Sequence, residues 1–260
     1  KIGTSGYSYQ DWIGTYYPQG IKKGDMLPFY ARDFDCVEIN FTYYQMPNPF
    51  VFKHLNEKTP ENFEFIVKLH QSFTHNRDYN DNYVLQMKES MSPIIESGKF
   101  SGFLAQFPYS FKFSQKNLEY LKKMADFFRE FPLFLEFRHI SWGNTALIEF
   151  LRNHQLNYVN VDEPRLNGLL PPQAVVVGDM AYLRFHGRNE KHWSQGTNEE
   201  RYDYLYSFDE LQKWLIHISK ILKKSFKTYI FFNNHPQGKA VKNAEAMNKM
   251  LKNMILNENP

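Results

Sequence analysis

The chain has 260 residues, 42% of them hydrophobic and 17% aromatic, enough to bury a large core in one domain. Its formal charge of +3 permits anionic partners but falls short of the clustered basic surface of a dedicated nucleic-acid binder. A single cysteine, Cys36, excludes an internal disulfide framework and any cysteine-only metal site, and no apolar stretch approaches membrane-spanning length, so a cytoplasmic protein without a membrane partner is expected.

The chain enters a strand-like run almost at once, IGTSG at 2–6, so no signal peptide is expected. Seven further runs of bulky residues follow: CVEIN at 36–40, FEFIVKL at 63–69, GFLAQF at 102–107, LFLEFR at 133–138, NYVNVD at 157–162, AYLRFHG at 181–187 and TYIFFNN at 228–234. Cys36 sits in one of them, and burial predicts a structural thiol there rather than a nucleophile. Helices are expected over 82–97, 115–131, 145–154 and 208–224, the last with Leu211, Leu215, Ile218 and Leu222 on one side. A final apolar stripe runs through Ala240, Ala244, Met247, Leu251 and Met254, and these stripes are core-facing rather than cofactor boxes. Two places break the alternation. The helix after the second run starts only near Pro49, and 163–178, with Pro164, Pro171 and Pro172, is a loop. Eight strands alternating with helices predict an α/β fold, a TIM-like (β/α)8 barrel forming a single domain over 1–260, with some irregular or missing helices.

In such a barrel one face of each strand meets the helices and the other looks inward, the last inward residues reaching the mouth at the carboxyl end. Alternation then assigns faces. Val37 and Ile39 outward leave Glu38 and Asn40 inward; Leu135 and Phe137 outward leave Glu136 and Arg138; Val159 and Val161 outward leave Asn160 and Asp162. In the same way Leu183 and Phe185 leave Arg184 and His186, and Ile230 and Phe232 leave Phe231, Asn233 and, just beyond, His235. Lys68 and Gln106 join them from the third and fourth strands. Ionised groups gathered there are costly unless paired, so a satisfied network is expected. Glu38 and Glu136 either plug the barrel as partners of Arg184 and Arg138 or serve chemistry. Asp162, His186, Arg188, Asn233 and His235 lie nearer strand ends, where barrel active sites are built. His70, His75, His154 and His217 have no such placement and are expected on the surface or at caps.

Two loops above that end, GYSYQDWIGTYYP after the first strand and GRNEKHWSQGTNEERYDYLYS after the seventh, mix aromatic and polar groups in a way that suits stacking on a planar ligand or closing over one. Trp142, in EFRHISW, is placed on the same rim.

Through YYPQG (16–20), FYARDFDCVEINFTYY (29–44), EFRHISW (136–142), YLRFHGR (182–188), RYDYLYS (201–207) and FFNNHPQGKAVKNA (231–244) the chain resembles the DUF72 family, also called YecE-like proteins, over essentially its whole length. The resemblance implies a TIM-barrel-like fold and carries no established reaction. A likeness in barrel shape to endonuclease IV-type enzymes makes nucleic acid an alternative ligand. Those enzymes hold several metal ions with histidines and carboxylates. Here Lys68, Arg138 and Arg184 interleave with the candidate ligands Glu38, Glu136, Asp162, His186 and His235 and oppose such a site, so no metal or cofactor is expected.

Three functions are weighed. The first is an enzyme or ligand-binding barrel for an anionic, phosphate-bearing small molecule, with Arg184, Arg188 and Lys68 clamping charge, Asn40, Gln106, Arg138, Trp142 and Asn233 as further binding residues, and Glu136, Asp162, His186 and His235 as acid–base candidates. The second is a nucleic-acid-binding or nuclease-like protein whose aromatic loops, Trp193 among them, stack on bases. The third is a non-catalytic sensor or scaffold. Opposite charges gathered at a barrel mouth favour the first.

Overall fold

A computed structural model describes residues 1–258. Eight parallel strands, β1 (Ile2–Thr4), β2 (Cys36–Ile39), β3 (Glu64–Lys68), β4 (Phe100–Gln106), β5 (Leu133–Glu136), β6 (Asn157–Asp162), β7 (Met180–Phe185) and β8 (Lys227–Phe232), form one sheet in the order β1-β8-β7-β6-β5-β4-β3-β2. The sheet curls until its ends meet at the Ser5–Glu38 bridge, where Gly6 N donates to Glu38 O at 2.8 Å. Gly3 makes that seam reachable: a Cβ there would lie 2.3 Å from the Cys36 carbonyl oxygen, so any larger residue would push β1 off β2. The result is the expected TIM-like barrel, nearly closed.

The strands sort their apolar side chains into two bodies, as a sheet buried on both faces must. The larger lies between barrel and helices and takes Val37, Val67, Ala105, Leu135, Leu183 and Phe232. The smaller fills the barrel and consists of Cys36, Ile66, Leu104, Phe134, Val159, Val161, Tyr182, Tyr229 and Phe231. Burial of the Cys36 thiol pushes its pKa up to about 12, in keeping with a structural role.

The composition of the inner body reverses one expectation. Val159 and Val161 face into the barrel, in register with Tyr182 and Arg184, and Asn160 and Asp162 face out. Polar alternation fails on β6 because both outward polar groups find partners there. Asn160 holds the 163–178 loop through Val175 N (2.8 Å) and Val175 O (2.9 Å), and Asp162 accepts from Trp214 Nε1 at 2.6 Å.

Helices α1 (Met26–Tyr30), α2 (Pro49–Glu57), α3 (Asp81–Ser90), α4 (Ser92–Glu96), α5 (Gln115–Phe128), α6 (Thr145–Asn153), α7 (Asn198–Tyr202), α8 (Phe208–Leu222) and α9 (Lys239–Glu258) wrap the sheet. α2 begins at Pro49, where Asn48 caps Val51 N. The helix expected over 82–97 breaks at Met91, one residue before α4 starts with Pro93 in its first turn. The connection from β6 to β7 carries no helix. α8 starts at a capping box of Ser207 and Glu210 and buries Leu211, Trp214, Ile218 and Ile221, so the expected face is turned to bring Trp214 against Asp162. Among the described residues no helix is long and apolar enough to cross a membrane.

Candidate functional site

Directly above the apolar plug lies a layer of buried ions. Arg184, only 2% exposed, spans two carboxylates, with Nη2 2.7 Å from Glu38 Oε1 and Nη1 2.5 Å from Glu136 Oε2. Glu38 also accepts from the Tyr182 hydroxyl. Glu136 Oε1 receives Arg138 Nη2 at 2.7 Å, and Arg138 Nη1 pairs with Glu163. The chain Glu38–Arg184–Glu136–Arg138–Glu163 therefore alternates in sign across the barrel, the one arrangement in which so many buried charges are tolerable. The neighbouring guanidiniums hold the Glu136 carboxyl well below its usual range against the opposing effect of burial. Glu163 has one oxygen, Oε1, buried without a partner, and burial raises its pKa to about 7.

His186 closes the layer. Asn233 Nδ2 lies 3.1 Å from its Nδ1, and its Nε2 lies 3.2 Å from both Glu136 Oε1 and Arg138 Nη2. Burial and the adjacent Arg138 cation lower its pKa to about 3, and burial lowers that of His235 to about 4. Both imidazoles are therefore held in the neutral form at physiological pH. His235 stacks flat on Tyr9, with ring centroids 4.5 Å apart, and Tyr202 stands 6.0 Å from it and 5.9 Å from His186. Besides Glu163, the mouth group whose pKa lies near neutrality is Lys68. Burial first, and then the Arg184 cation, lower its pKa to about 7. Its Nζ donates to Gln106 Oε1 at 2.7 Å and lies 4.5 Å from the centre of the Tyr43 ring. Asn40 is half-buried at the end of β2, its Oδ1 enclosed without a hydrogen-bond partner.

A cleft of about 530 Å³ opens above this layer. Its walls include Gln106, Arg138, Arg201, His75, Asn167, Trp193 and Tyr202, and none of its lining residues is acidic. Trp193 covers the Arg138 guanidinium at 5.6 Å. Arg201 has its Nε buried with no hydrogen-bond partner. A second cavity of about 600 Å³, over the ends of β1 and β2, is lined by Tyr7, Tyr9, Asn40, Phe41 and Tyr44 among others. Among the described residues no group of three His, Cys, Asp or Glu side chains is placed to hold a metal ion.

Eight of the expected site residues thus meet at the mouth, Lys68, Gln106, Glu136, Arg138, Arg184, His186, Asn233 and His235, while Asn40 lines the second cavity. Three others lie elsewhere. Asp162 faces outward and is consumed by Arg188, whose Nε and Nη2 lie 2.7 and 2.6 Å from its two oxygens, by the Tyr206 hydroxyl (2.7 Å) and by Trp214. Arg188 follows it because Gly187, at φ 90°, breaks the alternation of β7 and turns the chain outward; its remaining reach goes to Glu210 Oε1 at 3.1 Å. Trp142 is 1% exposed, stacked 4.2 Å from Phe137 with Nε1 donating to Phe111 O, so it belongs to the core rather than the rim. His75, expected on the surface, lines the cleft, its ring 5.0 Å from that of Tyr43. Glu163, Arg201 and Tyr202 were not singled out by alternation. Glu163 was nevertheless within its reach, since Val159, Val161 and Glu163 form the inward set of β6 once its faces are exchanged.

Comparison with known proteins adds a family. Residues 1–260 match the family described as "Protein of unknown function DUF72". The chain belongs to that family. Among curated DUF72-related proteins, YunF of Bacillus subtilis is 30% identical over 267 residues, covering 96% of this chain and 94% of that protein, and YecE of Escherichia coli is 33% identical over 95 residues, covering 36% and 32%. A DUF72 protein of Thermotoga maritima has a solved structure with a TM-score of 0.90 at 42% identity, covering 96% of this chain and 98% of that one. One from Enterococcus faecalis gives 0.86 at 27%, covering 96% and 94%. A xylose isomerase domain-containing protein of Salmonella typhimurium, at 11% identity and a TM-score of 0.53 over 98% of this chain and 96% of that one, is alike in fold alone.

Proposed function

We propose that this chain binds a small phosphate- or carboxylate-bearing molecule in the mouth cleft and acts on it there with Lys68 as the proton-exchanging group. One observation carries this reading: among the described residues Arg201, in the cleft wall, and Lys68, just behind that wall on Gln106, are left without a carboxylate partner, and none of the cleft's lining residues is acidic. Arg138 and Arg184 are spent on Glu38, Glu136 and Glu163, so they set the field and hold the floor rather than meeting the ligand as a free clamp. An incoming anion restores the counter-charge that the two unpaired cations lack, and the planar Arg201 fork suits phosphate or carboxylate. Trp193, Tyr202 and Tyr109 supply apolar walls for the rest of the molecule. Lys68 and Glu163, both titrating near neutrality, are the mouth groups able to give or take a proton at physiological pH.

Calorimetric titration with inorganic phosphate, pyrophosphate, citrate and a single-stranded oligonucleotide tests the reading. We expect at least one of the small anions to bind, and Arg201→Ala to weaken it about tenfold, the worth of one charge-assisted hydrogen bond. Binding of the oligonucleotide alone, falling steeply with salt, would move the assignment to nucleic acid. An affinity for small anions that Arg201→Ala leaves unchanged would remove the cleft from the account.

A further inference from the structure

We propose that Lys68 is an amine nucleophile that condenses with a carbonyl group of the bound anion to form an imine. This rests on the anion-binding reading above and narrows the ligand class to aldehydes or ketones that carry a carboxylate or phosphate.

The placement of Lys68 is what an imine-forming lysine needs. It stands at the carboxyl end of β3, half-buried and facing into the barrel mouth. Its Nζ has a single hydrogen bond, to Gln106 Oε1, and forms no ion pair among the described residues. The other two cations of the buried ion layer, Arg138 and Arg184, are each bound to two carboxylates. A lysine whose only task was to balance charge would be expected on Glu38 or Glu136, and both are already occupied by guanidiniums. The Tyr43 ring walls one side of Nζ, and Gln106, which holds it, is itself part of the cleft wall.

The surroundings keep the amine in its reactive form. Arg184 on β7 and Arg138 just past β5 oppose its charge, Glu38 and Glu136 offset them in part, and His75 and Tyr43, in the turns that follow β3 and β2, face it without a carboxylate. With its pKa at about 7, a large share of Lys68 carries a free lone pair at physiological pH, whereas a lysine at its ordinary value of 10.5 carries almost none. Arg201, free across the cleft, is available for the anionic end of the same molecule.

The step balances without an oxidant or reductant. The Nζ lone pair forms a C–N bond to the carbonyl carbon as the C=O π pair moves onto oxygen. One amine proton passes to that oxygen, and the second is lost as the C–O bond breaks and the oxygen departs as water, leaving C=N.

Reductive trapping tests this. The protein is incubated with pyruvate or glyceraldehyde 3-phosphate and cyanoborohydride, and the modified lysines are mapped by peptide mass spectrometry. We expect Lys68 to be modified at least tenfold faster than the exposed Lys53, half-maximally near pH 7, with pyrophosphate slowing it and Lys68→Met removing it. The map of the unmutated protein decides the matter even if Lys68→Met fails to fold. Modification spread evenly over exposed lysines, in a protein that still binds pyrophosphate by calorimetry, overturns the imine and leaves the anion site standing. If neither pyrophosphate nor the carbonyl probes bind, the anion reading falls and the imine with it.

Discussion

A lysine without a carboxylate, held beside two arginines, is a position that costs stability. Lys68 has a folded-state pKa of about 7 against 10.5 when free, so between those values the unfolded chain binds the extra proton and stability rises with pH; below about 7 both states are protonated and the cost is felt in full. Lys68→Met keeps the stem and removes the charge. It should stabilise the protein by about 1–2 kcal/mol at pH 6, a few degrees in melting midpoint, with the gain fading as pH rises toward 10.5. A loss of stability at pH 6 would mean that the amine is paired in solution. The buried histidines push the same way, in a lower pH window. His186 and His235, at about 3 and 4, contribute stability that is present above 6.5 and lost as pH falls toward those values. At this scale the sequence was readable wherever a strand kept its alternation into the mouth: Glu136 with Arg138, and Arg184 with His186, were placed by parity alone. Arg201 was not, because it lies in the short helix α7, beyond the reach of strand parity.

Among the elements, β6 and the segment that follows β7 are the informative pair. Asp162 is a knot outside the barrel that ties Arg188, Tyr206 and Trp214 together and so anchors the 187–207 segment, the one that delivers Trp193, Arg201 and Tyr202 to the cleft. Asp162→Asn keeps the shape but removes the charge from a paired arginine and replaces an acceptor with a donor facing Trp214 Nε1. It should cost about 3 kcal/mol in chemical denaturation and make the 187–207 segment a favoured site of limited proteolysis. Unchanged proteolysis would mean that the segment is held by other contacts. The polar residues of β6 misled because both faces of a parallel sheet are buried, so a polar group marks a partner and not a direction. Gly187 misled in the same way: one residue at positive φ ended the alternation that made Arg188 look like a neighbour of His186. The Pro49 start of α2 and the helix-free connection after β6 were legible, because proline acts on the local backbone regardless of tertiary context.

The whole molecule is a stack: an apolar plug, a layer of alternating buried ions, and a cleft floored by that layer. The barrel was legible from eight bulky runs separated by helical spacing and from the DUF72 motifs, since burying both faces of a parallel sheet leaves a strong composition signal. The cleft was not, because its walls come from turns and loops whose convergence only the closed fold decides. On the proposed reading, the two cations left unpaired over the ion layer are there for an anion. Crystals soaked in tungstate, a tetrahedral dianion with strong anomalous scattering, put this to the test. We predict an anomalous peak in the cleft between Lys68 and Arg201; peaks confined to lysines on the outer helices, with the cleft empty, would contradict it.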